Sequence, residues 1–229
     1  MAENFYRKSL QEIASIPAGK KPTFLFHVCC GPCACFPLLF LAPHFDVTIY
    51  YDNSNIFPES EFARRRDELE RLLALYKRDY GYDIKLIKPP YDHEAYMKDL
   101  RPLAQEKEGG RRCFLCYEKR MREAYDYAES HGFDYFATVM SISRQKDSST
   151  MNQIGMELEK THAHTKYFYS DFKKANGQLF GVKLRDHYGL YNQLYCGCEY
   201  SLQEGKKRLK SEGKDPDSIL PQNQKIESK

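Results

Sequence analysis

Short apolar runs alternate along the chain with longer segments in which apolar residues recur every three or four positions. Residues 23–29 form the first run, which ends in Cys-Cys-Gly-Pro-Cys, and residues 46–51 form a second, which ends at Asp52-Asn53. Both read as buried parallel strands, because neither face alternates with polar residues. Residues 58–79 carry charged and apolar positions at helical spacing, with Pro58 at the first turn and Leu69, Leu72, Leu73 and Tyr76 on the face expected to meet the sheet. A third strand over 83–88 stops at Pro89-Pro90, and a short helix over 93–100 precedes the Gly109-Gly110 break. Residues 113–130 return to helical spacing, and 133–140 predict a fourth strand. Residues 149–160 predict a helix opened by a serine–threonine cap, and 165–169 a fifth strand. This alternation predicts an α/β protein: an open, mostly parallel sheet with helices on both faces and a helical C-terminal part, as one domain over 1–211. The stretch after Ser211 is polar, proline-containing and aperiodic, so residues 212–229 are expected to be a flexible tail.

Composition changes this picture little. The 229 residues are 41% hydrophobic and 29% charged, ordinary for a globular domain, although eighteen tyrosines accompany no tryptophan. A net charge of +3 is too small to imply a polyanionic partner by itself. Local clusters at Arg64-Arg65-Arg66, Arg111-Arg112, Lys119-Arg120-Arg122 and Lys173-Lys174 fit a basic surface and solvated helix faces equally well. The amino terminus lacks the apolar run of a secretory signal and is too acidic for a transit peptide, so a cytoplasmic protein is expected. The apolar stretch 24–43 contains His27, Gly31, Pro32 and Pro37, and reads as a strand, a loop and a short helix rather than a membrane span.

Eight cysteines in a reducing compartment point to metal or redox chemistry before structural disulfides. Cys29, Cys30 and Cys33 crowd a tight turn after a buried strand, where concentrated thiolates need a compensating cation. Cys35, one turn on, reads as a small core residue. Cys113-Phe114-Leu115-Cys116 opens a helix, a place that lowers thiol pKa; alone it fits a dithiol pair, half a zinc site or half an iron–sulfur site. Together with Cys29 and Cys30 it supplies four thiolates, enough for zinc or a [4Fe–4S] cluster. Cys196-Gly197-Cys198 can close only a small, strained and easily reduced ring, which suits a redox couple; two metal ligands or two unlinked thiols fit the spacing as well.

Several segments in order carry a resemblance: His27-Val28-Cys29-Cys30-Gly31-Pro32-Cys33; residues 108–116, Glu-Gly-Gly-Arg-Arg-Cys-Phe-Leu-Cys; Asp171-Phe172-Lys173-Lys174; and residues 190–201, which contain the CxC. With Tyr51 to Ile56 and Asn152 to Gly155 between them, the chain from about Phe24 to Ser201 resembles the QueH epoxyqueuosine reductases. The resemblance implies an adenine-nucleotide-hydrolase-like (HUP-type) fold, with a [4Fe–4S] cluster on Cys29, Cys30, Cys113 and Cys116 and a redox-active disulfide at Cys196 and Cys198. It also implies a transfer RNA carrying epoxyqueuosine as substrate, an external electron donor and no membrane partner. Cys33 and Asp52 stay outside those assignments and are candidates for an additional iron ion or for contact with the epoxide. Ser54 and Ser143-Arg144-Gln145-Lys146 depart from the commoner family residues.

Reducing an epoxide to an alkene takes two electrons and two protons, and no ordinary side chain supplies electrons. An anticodon loop offers unpaired bases and phosphates, for which Tyr191, Tyr195, Lys173, Lys174 and Arg112 are candidate contacts. Two rivals predict different features. A zinc-stabilised binding module needs four closed tetrahedral ligands, and a nucleotide-activating transfer-RNA thiolase needs a glycine- and serine-rich phosphate loop where this chain has Cys-Cys-Gly-Pro-Cys.

Overall fold

The structure is a computed structural model and describes residues 3–220. Five strands form one parallel sheet in the order β3-β2-β1-β4-β5: β1 Thr23–His27, β2 Asp46–Tyr50, β3 Lys85–Ile87, β4 Tyr135–Thr138 and β5 Lys166–Tyr167. Every strand is shorter than its apolar run, because each run continues into the loop that leaves the sheet. Eight α-helices accompany them among the described residues: α1 Phe5–Ser15, α2 Gly31–Leu41, α3 Glu59–Tyr80, α4 His93–Met97, α5 Arg111–Ser130, α6 Ser148–Glu159, α7 Gly177–His187 and α8 Glu199–Ser211. No helix among these residues is long and apolar enough to cross a membrane.

Both faces of the central strand are buried, which explains why its sequence does not alternate. Phe24 and Phe26 join the core that contains Leu38, Leu69, Leu72 and Tyr76 of α2 and α3. Leu25, on the opposite face, joins Met121, Ala124 and Tyr125 of α5 and Met151 of α6. The chain winds outward from β1 through β2 to β3, then returns to lay β4 on the other side of β1. That reversal opens a crevice beyond the carboxyl ends of β1 and β4, where ligands of such sheets gather.

Three local expectations change. Pro58 caps α3 instead of entering it, and α6 is capped by Asp147, whose carboxylate accepts from Thr150 N, so the serine–threonine cap gives way to an aspartate one residue earlier. The tail expected from Glu212 is packed as far as Leu220. A short turn at Pro216–Ile219 buries Ile219 against Tyr195, Leu202 and Leu209, which holds these nine residues despite their polar composition. Residues 221–229 lie outside the described residues.

Gly31 opens α2 where that helix meets α3. A Cβ there would sit 3.0 Å from the main-chain oxygen of Glu68, so the close approach of the two helices depends on its absence. Gly31→Ala is expected to cost about 1–3 kcal/mol of stability through this overpacking, measured by chemical denaturation; an unchanged midpoint would mean that α2 and α3 part freely.

Candidate metal and redox centre

The crevice is lined with sulfur. Beyond β1 the chain turns at Cys29, and Cys30 becomes the N-cap of α2, with Pro32 and Cys33 in the first turn. The Sγ atoms of Cys29, Cys30 and Cys33 lie within 4.8 Å of one another, with Cys29 and Cys30 3.9 Å apart. Hydrogen bonds from Cys30 and Cys33, aided by Arg120 and Lys146, hold the Cys29 thiol well below its ordinary pKa, whereas burial pushes Cys30 up. Cys35 faces the core, where burial raises it to about 12, in keeping with a packing role.

A second sulfur group comes from α5. Gly110 caps that helix, Cys113 accepts a hydrogen bond from Gly109 N at 3.2 Å, and Cys116 accepts one from the Tyr96 hydroxyl at 3.4 Å. Burial raises both thiols. Cys113 and Cys116 line one pocket with Cys196 and Cys198, while Cys196 also lines a neighbouring cavity of about 200 Å³ with Cys29, Cys33 and Lys146. Cys196 thus stands between the two groups. Cys198 caps α8, accepting from Ser201 N, and burial pushes it to about 11. All eight thiols are free.

Two buried cations accompany the sulfurs, and neither has a carboxylate partner within ion-pair distance among the described residues. Arg120 is 2% exposed; it donates to Asn53 Oδ1 at 2.7 Å, and its Nε has no partner. Lys146 is 9% exposed and donates to Cys196 Sγ at 3.5 Å. Burial works against both charges, yet the negative charge that Cys29 and Cys196 offer outweighs it and both pKa values rise. Uncompensated buried cations are costly, so these two match an anionic, thiolate-bound group in the crevice. A single zinc ion would need four sulfurs about 4 Å apart, as Zn–S bonds near 2.3 Å dictate. Cys113 and Cys116 are not at single-ion distance from the Cys29 trio. The residues therefore fit a thiolate-held iron–sulfur cluster better than a closed zinc site.

Gln193 is a further contributor that the sequence pattern did not single out. Its Nε2 donates to Cys30 Sγ at 3.0 Å, and its Oε1 is buried without a partner. Arg120 was legible only as one of a basic cluster: its neighbours Lys119 and Arg122 pair at the surface with Asp99 and Glu118, while Arg120, one turn beyond Cys116, points inward. His27 lies beneath the sulfurs, kept neutral with a pKa pushed down to about 3 by burial and Arg120, and its Nδ1 is 2.9 Å from Thr138 Oγ1.

The remaining candidates are placed as follows. Asp52 follows β2; burial raises its carboxyl against the pull of Arg120 and Lys119, and it is not at single-ion distance from the Cys29 trio. Beside it, Glu123 is pushed up to about 7 by burial and by Asp52. Arg112 is 2% exposed and donates to three main-chain carbonyls. Lys173 donates to the carbonyls of Ser143 and Lys146, which steadies the segment carrying Lys146. Tyr191 donates to Glu61, and Tyr195 donates to the carbonyl of Phe57. Lys174 is exposed. A wider groove adjoins the sulfur cavity, sharing Cys33, Ser143, Arg144, Gln145 and Gln193 with it and adding Gln178, Arg185 and Asn192.

Comparisons with known proteins bear on the chain as a whole. Residues 24–204 match the family model described as epoxyqueuosine reductase QueH. The epoxyqueuosine reductase QueH of Streptococcus pyogenes serotype M1 is 36% identical over 198 residues, covering 86% of this chain and 77% of its own. That of Staphylococcus aureus is 34% identical over 204 residues, covering 88% and 85%. Among solved structures, the U34-tRNA thiolase NcsA from Methanococcus maripaludis with its [4Fe-4S] cluster aligns at a TM-score of 0.45 and 11% identity, over 94% of this chain and 76% of that one. At that distance it assigns nothing to individual residues. The family match over most of the length, together with the two relatives, shows that the chain belongs to the QueH family of epoxyqueuosine reductases.

Proposed function

We propose that this protein reduces the epoxide of epoxyqueuosine at the wobble position of transfer RNA to the alkene of queuosine. The observation that carries the reading is that thiols from three distant segments line two pockets that share Cys196, beside two buried cations that lack carboxylate partners among the described residues. Family membership supplies the reaction class. Cys29, Cys30, Cys113 and Cys116 would hold a [4Fe–4S] cluster, which supplies electrons one at a time when bound. Cys196 and Cys198 are the thiols that exchange electrons with an external donor. For an additional iron ion, Cys33 is the thiol of the trio not committed to the cluster, and the candidate carboxylate Asp52 lies beyond single-ion distance from that trio.

The chain's own residues prepare the crevice for that reaction. Removing the oxygen as water consumes two protons with the two electrons. Lys146 Nζ holds a proton at the cavity wall, beside Cys196, and is the group that would donate to the departing oxygen. Gln193 donates to Cys30 Sγ, one of the thiols that would hold the cluster, a contact of the kind that tunes metal centres through their ligands. Arg120 neutralises thiolate charge from below. The adjoining groove is polar and cationic, with Arg144, Gln178, Arg185 and Asn192 on its walls and exposed Leu194 at the sulfur cavity, which suits unpaired nucleotides flanking the modified base.

Protein purified without oxygen should be brown with about four irons per chain, and Cys113→Ala should lose both colour and iron; a colourless protein holding one zinc would sink the reading. Lys146→Met should retain its iron yet lose about 10²-fold in the single-turnover rate constant on epoxyqueuosine transfer RNA. Arg144→Ala should raise KM with little change in kcat and flatten the salt dependence of RNA binding by about one unit of slope, measured by titration at several salt concentrations.

A further inference from the structure

The CxC segment has no secondary structure of its own to hold it, yet its main chain is fastened at successive points. Glu61 and Arg65 stand one turn apart on α3, each side chain 1% exposed, with Arg65 Nε donating to Glu61 Oε1 at 2.7 Å. The two other guanidinium nitrogens leave the helix. One donates to the carbonyl of Cys196 at 3.0 Å and the other to that of Tyr195 at 3.2 Å. The following carbonyl, of Gly197, accepts from Phe57 N at 2.8 Å. Three consecutive carbonyls are thereby tied to α3 and the loop before it. Gly197 itself has φ +140°, and a Cβ there would lie 3.2 Å from the Arg65 guanidinium.

A buried ion pair is not needed for stability, since packed apolar side chains usually serve as well or better. What apolar residues cannot do is grip two successive carbonyls with a rigid fork. Glu61 is set in turn by the Tyr191 hydroxyl, which donates to its carboxylate at 3.1 Å. We propose that Arg65, oriented by Glu61, is the positioning residue that holds the Cys196-Gly197-Cys198 backbone and thereby sets how readily these two thiols form and release their disulfide. The inference rests on the assignment of this pair as the redox couple. On oxidation each thiol gives up one proton and one electron as the S–S bond forms, and the two electrons and two protons convert one external disulfide to two thiols. A CxC ring is small and must bend its backbone to close. A backbone pinned at three carbonyls bends less, which makes the disulfide harder to form and easier to reduce.

The test equilibrates the full-length, iron-loaded protein in glutathione redox buffers without oxygen, with trapping of the Cys196 and Cys198 thiols and mass analysis. Arg65→Lys keeps a cation facing Glu61 but loses the fork. Its disulfide should survive in buffers at least threefold more reducing, in the ratio of squared thiol to disulfide, than those that reduce the wild type. Glu61→Gln should shift the same way by less. Iron content and thermal midpoint, read on the same samples, separate a positioning effect from damage to the fold. A folded, iron-replete Arg65→Lys protein with the wild-type equilibrium would overturn the proposal. Should Arg65→Lys not fold, an unchanged equilibrium in Glu61→Gln overturns it equally. Failure of the wild type to form any Cys196–Cys198 disulfide would instead remove the redox assignment beneath it.

Discussion

The structure turns on one electrostatic constraint: sulfurs gathered in a buried crevice can carry negative charge only where cations compensate it, and Arg120 and Lys146 are the buried cations whose charge they offset. In an interior of low effective dielectric a buried cation is as expensive alone as a buried anion, so each set lowers the cost of the other. This mutual dependence explains why, among the described residues, Arg120 has a neutral amide as its side-chain hydrogen-bond partner and why Lys146 points at sulfur. It also explains why the loop carrying Lys146 is itself held, by Lys173 donating to two of its carbonyls.

The sheet provides the place where that balance is struck. Strand order reverses at β1, so the loops after β1 and β4 diverge and leave an opening between them. Cys29 and Cys30 leave from one side and Lys146 from the other, while α5 crosses the same end with Cys113, Cys116 and Arg120 on one face. Helix starts recur at this end: Cys30 caps α2, Cys198 caps α8, and Cys113 sits in the first turn of α5. Free main-chain N–H groups at such ends favour negative sulfur.

Helix α3 links the sheet to the Cys196-Gly197-Cys198 segment. Its apolar face, Leu69, Leu72 and Tyr76, anchors it to the core, and its first two turns turn Glu61 and Arg65 toward the CxC segment. A little further along, Glu68 accepts from Tyr191 N, and Arg71 donates to the carbonyls of Tyr188 and Gly189. The whole approach to Cys196 is therefore mounted on one rigid helix. The run Arg64-Arg65-Arg66, which in sequence fits a solvated face, is divided by the fold: Arg65 is buried, Arg66 pairs with Asp67, and Arg64 lies over the Tyr191 ring.

The sequence alone determined the alternation of strands and helices, the apolar face of α3, the clustering of thiols after β1 and at the start of α5, and the core role of Cys35. These follow from periodicity, chain geometry and cysteine spacing, which are local properties. Tertiary structure alone decided which charges turn inward. Arg120, Lys146, Arg65 and Gln193 belong to ordinary polar stretches, and their roles depend on what distant segments place opposite them. For the same reason Tyr191 and Tyr195, which in sequence suit contact with RNA, are tied to Glu61 and to the carbonyl of Phe57. The partner that satisfies a side chain across more than a hundred residues is set by the winding of the sheet, and no local pattern records it.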